Sequence, residues 1–157
     1  MKIPSTPALL ALRAAGVAFS LHTYAYEEKG GTRVSSDKLG VDEHIVIKTL
    51  VMEDEKARPL LILMHGDKEV STKELARTLG VKSITPCKPE TARRHTGYMV
   101  GGTSPFGTKK ELAVYMEKTI TDLPEILINA GARGLLAKMS PAELTRILHA
   151  REVNVAI

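Results

Sequence analysis

Residues 44–52 read HIVIKTLVM, an apolar run with a lysine at its centre. In an extended chain alternate side chains share a face. Ile45, Ile47, Thr49 and Val51 then line one side, and Val46, Lys48, Leu50 and Met52 the other. An ammonium among apolar neighbours is costly unless its head reaches water or meets an anion. Lys48 is therefore the first candidate for chemistry. GGTSPFG at 101–107 is the second: three glycines, a proline and two hydroxyl residues fall within seven positions. Glycine permits positive φ and close backbone approach. Successive N–H groups in such a turn can cradle an anion or polarise an acyl carbonyl; a plain tight turn is the alternative. INAGARG at 128–134 is a second glycine-containing turn, with Arg133 beside it.

Other chemistries find little support. The five histidines, His22, His44, His65, His95 and His149, form no HExxH or similar metal-ligand pair. There is no GxSxG elbow and no Walker loop. The single cysteine, Cys87, excludes an intramolecular disulfide and a cysteine-rich zinc site. It lies beside Lys88, and a nearby cation can favour a thiolate, though a plain turn cysteine is the simpler reading. Basic residues outnumber acidic ones by 22 to 18, and the positive charge gathers at Arg93, Arg94 and His95 and again at Lys109 and Lys110. These clusters suit either a polyanionic partner or a solvated surface. Aromatic residues are only 4% of the chain, too few for a stacked-aromatic RNA platform.

The elements that must position these residues are legible in outline. STPALLALRAAG has helix signals: Ser5 or Thr6 to cap, Pro7 in the first turn, Gly16 to stop, and an apolar face of Leu9, Leu10 and Leu12. VAFSLHTYAY alternates as a strand. EEKGGTR is a loop, followed by a short helix over 35–39. HIVIKTLVMED and RPLLILMHGD predict a hairpin joined through 53–58. STKELARTLG predicts a capped helix, with Ser71 and Glu74 at capping-box spacing and Gly80 as its stop, and KPETARRHTG a further short helix with Pro89 near its start. GYMVGGTSPFG reads as a strand entering the glycine loop. ELAVYME, EILINAG and RGLLAKM are further strands, SPAELTRILHA is a helix and EVNVAI a last strand. The 157 residues, with no repeat or linker, predict one domain over 1–157. Intermingled strands and helices predict an α+β fold: a mixed, largely antiparallel sheet or β-barrel with surrounding helices. No signal peptide or membrane-spanning stretch is seen, which makes the cytoplasm the expected location.

HTY at 22–24, IKTLV at 47–51, TGYMVGGTSPFG at 96–107 and AGARGL at 130–135 together resemble the YbaK/ProX-type aminoacyl-tRNA editing domains, over nearly the whole chain. That family resembles the editing insertion of bacterial prolyl-tRNA synthetase, and its members hydrolyse the ester of mischarged tRNA in trans. The resemblance implies a mixed β-barrel and a deacylase needing no cofactor and no metal. Its partners would be the acceptor end of a mischarged tRNA and prolyl-tRNA synthetase. It implies that Lys48 faces the terminal nucleotide, with Gly101 and Gly102 orienting or polarising the ester. Tyr24, Thr49, Ser104, Asn129 and Gly131 would bind substrate.

The chain departs from the cysteine-clearing pattern SGGxRGLD, reading NAGARGLL instead. Asn129 stands for a serine and Leu136 for an aspartate. Gly30, Gly31 and Thr32 occupy a shortened loop lacking the pattern's phenylalanine. The expectation is thus hydrolysis of Cys-tRNA(Pro) or of another misacylated tRNA(Pro) bearing alanine, serine or threonine. The rival readings are a non-catalytic module that binds tRNA or a synthetase, and an enzyme acting on a small aminoacyl ester.

Overall fold

The structure, a computed structural model, describes residues 3–157. Helix α1 spans Pro7–Ala14. Thr6 caps it: its Oγ1 accepts from the N–H of Leu9 at 3.1 Å and donates to the carbonyl of Ala130 at 2.6 Å. The same residue thus starts the helix and anchors it to the second glycine turn. Ala8, Leu9 and Leu12 are buried. Leu10, expected on the apolar face, is exposed, because a 100° step per residue carries it off the Leu9–Leu12 stripe.

Eight strands form one mixed sheet: β1 Ser20–Thr23, β2 Val46–Asp54, β3 Pro59–His65, β4 Ile84–Pro86, β5 Ala113–Glu117, β6 Ile126–Asn129, β7 Leu135–Met139 and β8 Arg151–Val153. The path of pairings runs β1-β7-β6-β2-β3-β5-β8, with β4 attached to β2. The expected hairpin is β2–β3, in register from Ile47 opposite His65 to Glu53 opposite Pro59. Asp54 closes its turn, accepting from the N–H groups of Lys56 and Arg58 and from Arg58 Nε. The β1–β7, β6–β7 and β2–β4 pairs are also antiparallel, while β2–β6, β3–β5 and β5–β8 are parallel. Helices α2 Gly31–Leu39, α3 Thr72–Leu79, α4 Pro89–Thr96 and α5 Ala142–Leu148 complete the α+β architecture.

Three local expectations need correction. Helix α2 starts at Gly31 rather than 35, tied to the next turn by Thr32 Oγ1 donating to Glu43 Oε2 at 2.7 Å. Residues 97–100 form no strand; they lead into a turn. Strand β4 was not foreseen: three residues carry too little alternation to read.

One edge of β2 is shared by two partners. Strand β6 pairs there only with Val46 and Ile47, and β4 only with Met52, Glu53 and Asp54. The carbonyl of Val51 accepts from the N–H of Cys87 at 3.0 Å. Among the described residues, the edge over 48–50 meets no strand.

The principal core lies on one face, built from α1 and from Ile47, Leu61, Leu63, Phe106, Met116 and Ile128. The other face holds two smaller apolar clusters. Val46, Leu127 and Leu136 form one; Met52, Leu60, Ile62, Met64 and Leu75 lie in the second. At the β2–β3 end the rings of His44 and His65 stack 3.8 Å apart. His65 bonds the His44 carbonyl through Nδ1 and Thr119 Oγ1 through Nε2. Among the described residues no helix is long and apolar enough to cross a membrane.

Candidate functional site

Strand alternation puts Lys48 on the face of the two smaller clusters. Val46, two residues before it, belongs to one; Leu50 and Met52, after it, pack in the other. Lys48 stands at the break between them. Its side chain is 19% exposed, and Nζ reaches Glu69 Oε1 at 3.3 Å. The apolar stem is covered while the head emerges at the surface. Glu69 is 78% exposed, and its backbone exchanges two hydrogen bonds of 2.9 Å with Ile157.

Ile47 pairs with Ile128, so Asn129 is the β6 residue beside Lys48. Asn129 shares a face with Leu127, which belongs to the Val46 cluster. Its amide fastens both glycine turns. Nδ2 donates to the carbonyls of Gly101 at 3.2 Å and Ala132 at 3.1 Å, and Oδ1 accepts from the N–H of Gly131 at 2.6 Å. Arg133 adds a second fastening: Nε donates to the Val100 carbonyl at 2.9 Å, and its guanidinium lies 5.0 Å over the ring of Tyr26. Lys48 and Asn129 therefore lie on the same face of the sheet, just past the last β2–β6 rung, and Asn129 ties the glycine bend to that face.

The two glycines of the bend differ. Gly101 has φ +85° and is exposed; its N–H has no acceptor among the described residues. Gly102 is buried, and its N–H donates to the Met99 carbonyl at 2.9 Å, closing the turn. That corrects the expectation of two N–H groups offered to an ester: the Gly102 group is committed internally. A Cβ on Gly102 would stand 2.9 Å from the Arg133 nitrogen and 3.0 Å from the Ala132 carbonyl carbon. Gly102 is needed for the close approach of two backbones.

The remaining candidates separate by position. Tyr24 packs on the Val46–Leu127–Leu136 cluster. Burial raises its pKa, a hydrogen bond with Ser35 lowers it and neighbouring Tyr26 raises it, for a net rise that keeps the phenol protonated. Thr49 alternates to the face opposite Lys48, and its hydroxyl is buried without a hydrogen-bond partner among the described residues. Ser104 is fully buried, and its hydroxyl accepts from the N–H of Phe106 at 3.2 Å, an internal turn contact. Gly131, with φ +97°, lies against Tyr98 and Thr6. Thus Lys48, Tyr24, Asn129 and Gly101 gather on one face, whereas Thr49 and Ser104 do not join them. Glu69 and Tyr26 went unread in the sequence. Tyr26 had a signal in the alternation of HTYAY, but Glu69 is brought in only by tertiary pairing with the chain's last residues.

Cys87 is not activated. Burial first, then the nearby Glu53 carboxylate, push its thiol up to about 11 despite Arg94. Two surface depressions of about 520 and 300 Å³ lie elsewhere, beside α5 and beside β5, and neither includes Lys48 or the glycine bend. An ammonium flanked by apolar clusters, beside an exposed glycine N–H, can hold an anionic group and polarise an adjacent carbonyl.

Comparison with known proteins identifies the family and the fold. EbsC of Enterococcus faecalis, described as a candidate Cys-tRNA(Pro)/Cys-tRNA(Cys) deacylase, is 26% identical over 140 residues, covering 88% of this chain and 85% of EbsC. A proline–tRNA ligase of Thermodesulfovibrio yellowstonii is 38% identical over 82 residues, 52% of this chain but 14% of the ligase. The fold matches the crystal structure of a candidate trans-editing enzyme for prolyl tRNA synthetase with a TM-score of 0.85 at 22% identity, covering 99% of both chains. It matches that of the hypothetical protein APE2540 with a TM-score of 0.87 at 20% identity, over 96% of this chain and 99% of the other. Residues 31–147 match the family model of the aminoacyl-tRNA editing domain, well over half of the length, and the chain belongs to that family.

Proposed function

We propose that this chain is an aminoacyl-tRNA deacylase that hydrolyses the ester of a misacylated tRNA(Pro) bearing cysteine, alanine, serine or threonine. The carrying observation is the position of Lys48, an ammonium at the break between two apolar clusters, next to the bend braced by Asn129. The names of the similar proteins, a candidate Cys-tRNA(Pro)/Cys-tRNA(Cys) deacylase and proline–tRNA ligases, support a tRNA substrate, with tRNA(Pro) common to both.

In this reading Lys48 holds the phosphate or ribose oxygens of the terminal nucleotide. The N–H of Gly101 donates to the ester carbonyl as it gains negative charge. Water attacks the carbonyl carbon, the C–O bond to the ribose breaks, and a proton goes to the ribose hydroxyl. Free amino acid and uncharged tRNA leave. An aminoacyl ester is already reactive, so positioning and charge stabilisation supply the acceleration without a protein nucleophile. When the amino acid is cysteine, its own thiolate can attack the carbonyl carbon in place of water: the C–O bond to the ribose breaks, the ribose oxygen takes a proton, and the cyclic thioester released is then hydrolysed by water to free cysteine. Tyr24 forms an apolar wall. Asn129 acts as a brace, and the bonds it makes to both turns leave it poorly placed to hold an α-ammonium group. The enzyme acts where translation takes place, in the cytoplasm, alone or with prolyl-tRNA synthetase.

The test is release of labelled amino acid from Cys-, Ala-, Ser- and Thr-tRNA(Pro). Turnover of at least one is expected. Turnover of none by folded protein overturns the reading.

A further inference from the structure

Residues 88–111 hold five cations and two carboxylates, a net +3 against +4 for the whole chain. The fold turns this stretch into a loop with a neck. Helix α4 ends at Thr96, the chain runs out through the glycine bend, and it returns at Lys109. There the N–H of Lys109 donates to the Thr96 carbonyl and that of Lys110 to the His95 carbonyl, both at 3.0 Å. The two basic clusters, fourteen or more positions apart in the sequence, become neighbours across these bonds. Arg93, Arg94, Lys109 and Lys110 are all exposed. Among the described residues none of the four stands in an ion pair, so all four heads are open to solvent. Lys110 Nζ lies 3.0 Å from His95 Nδ1. The His95 imidazole is held below its ordinary pKa, by burial first and then by Lys110 and Arg94.

We propose that this neck is the surface on which phosphates of the RNA substrate's acceptor stem rest, so that the strand's end is delivered to the glycine bend; the proposal rests on the aminoacyl-tRNA reading above. Unpaired cations on a pinned backbone are suited to phosphate contact, which depends on charge and releases counterions. The outward run carries the exposed apolar residues Met99 and Val100 just before Gly101. The surface therefore passes from cationic at the neck to apolar beside the bend. An RNA end has the same order, with charged backbone leading to a terminal base and ester.

The test compares the wild-type chain with an Arg93→Gln/Arg94→Gln/Lys109→Gln variant, leaving Lys110 on His95. A control carries Lys56→Gln/Lys73→Gln/Lys118→Gln at three other exposed lysines. Binding of uncharged tRNA is measured against salt, and deacylation of the tRNA is compared with that of a short aminoacyl ester. The neck variant should bind tRNA roughly tenfold or more weakly at moderate salt, and its log K–log salt slope should flatten by about 2. Its KM for charged tRNA should rise with kcat unchanged, and the short ester should be hydrolysed as by wild type. Unaltered affinity and slope, or an equal loss in the control, overturns the proposal. Because the binding arm needs no hydrolysis, a wild-type chain that deacylates nothing counts against the deacylase reading alone.

Discussion

The ammonium of Lys48 faces the carboxylate of Glu69 across 3.3 Å, yet the two differ in surroundings: the lysine side chain is 19% exposed, the glutamate 78%. A pair with so exposed a partner contributes at most about 1 kcal/mol. A substrate phosphate can therefore take the carboxylate's place. Lys48→Ala should lower kcat/KM by about 100-fold or more while the protein stays folded. Glu69→Gln should lower KM by roughly 2- to 5-fold, since it removes a competitor worth about 0.5–1 kcal/mol. Steady-state kinetics and a melting curve on each variant check both expectations. An unchanged rate in Lys48→Ala removes the lysine from the mechanism.

Asn129 bonds three backbone groups in two turns. Truncation leaves those groups to water or to one another. Asn129→Ala should cost about 1–3 kcal/mol of stability and lower kcat, because the bend loses its tie to β6. Urea denaturation and kinetics are the measurements. A variant with wild-type stability and impaired KM alone would instead point to direct substrate contact.

Glycine positions separate site from scaffold. In Gly102→Ala the new methyl meets the backbone of Ala132 and Arg133 at about 3 Å, so the turns must part. Activity should fall by about 100-fold, as expected for a displacement of order 1 Å at the reacting groups. Gly16→Ala has open space around its Cβ but φ +70°, and should cost about 1 kcal/mol of stability with activity retained.

Much of this was legible in the sequence. Lys48 stood out because a charge in an alternating apolar run conflicts with its surroundings, and the structure places that conflict at the break between two clusters. The hairpin, the helices capped by Thr6 and Ser71 and the two glycine turns carry short-range signals and appear as expected. Other features depend on contacts distant in sequence. Thr49 and Ser104 look polar and available in the chain, but one faces away from Lys48 and the other closes an internal turn with Phe106. The bracing role of Asn129 rests on acceptors up to 28 positions away. Strand β4 exists because β2 offers it an edge, not because ITP prefers to be extended.

Cys87 is the sole thiol, and burial followed by Glu53 pushes it up to about 11. At neutral pH it stays protonated and is a poor nucleophile. Cys87→Ser should retain near wild-type deacylation, and the native thiol should react with iodoacetamide far more slowly than free cysteine near pH 8. Rapid labelling, or loss of activity in the serine variant, contradicts this.

Burial lowers the pKa of His65 from its ordinary 6.5, although the His44 carbonyl opposes the shift. The unfolded chain therefore binds the proton more readily than the folded one. The native state is not penalised above about pH 6.5, and stability falls as pH drops from there toward the depressed folded value. His95 is shifted in the same direction. Thermal midpoints should decline on acidification from about pH 7 to about pH 5.5, and His65→Gln should flatten the decline. A midpoint independent of pH over that window contradicts the assignment.

The fork in the sheet has a chemical consequence of its own. Strand β2 leaves β6 after Ile47 and is met by Cys87 and β4 only from Val51 onward, so its backbone at Lys48, Thr49 and Leu50 remains unzipped along one border. Peptide groups there can address a guest in the geometry of a missing strand, and such contacts do not depend on which side chains stand nearby. On the proposed deacylase reading, a grip made by main-chain groups would tolerate the asparagine and leucine that stand at positions 129 and 136.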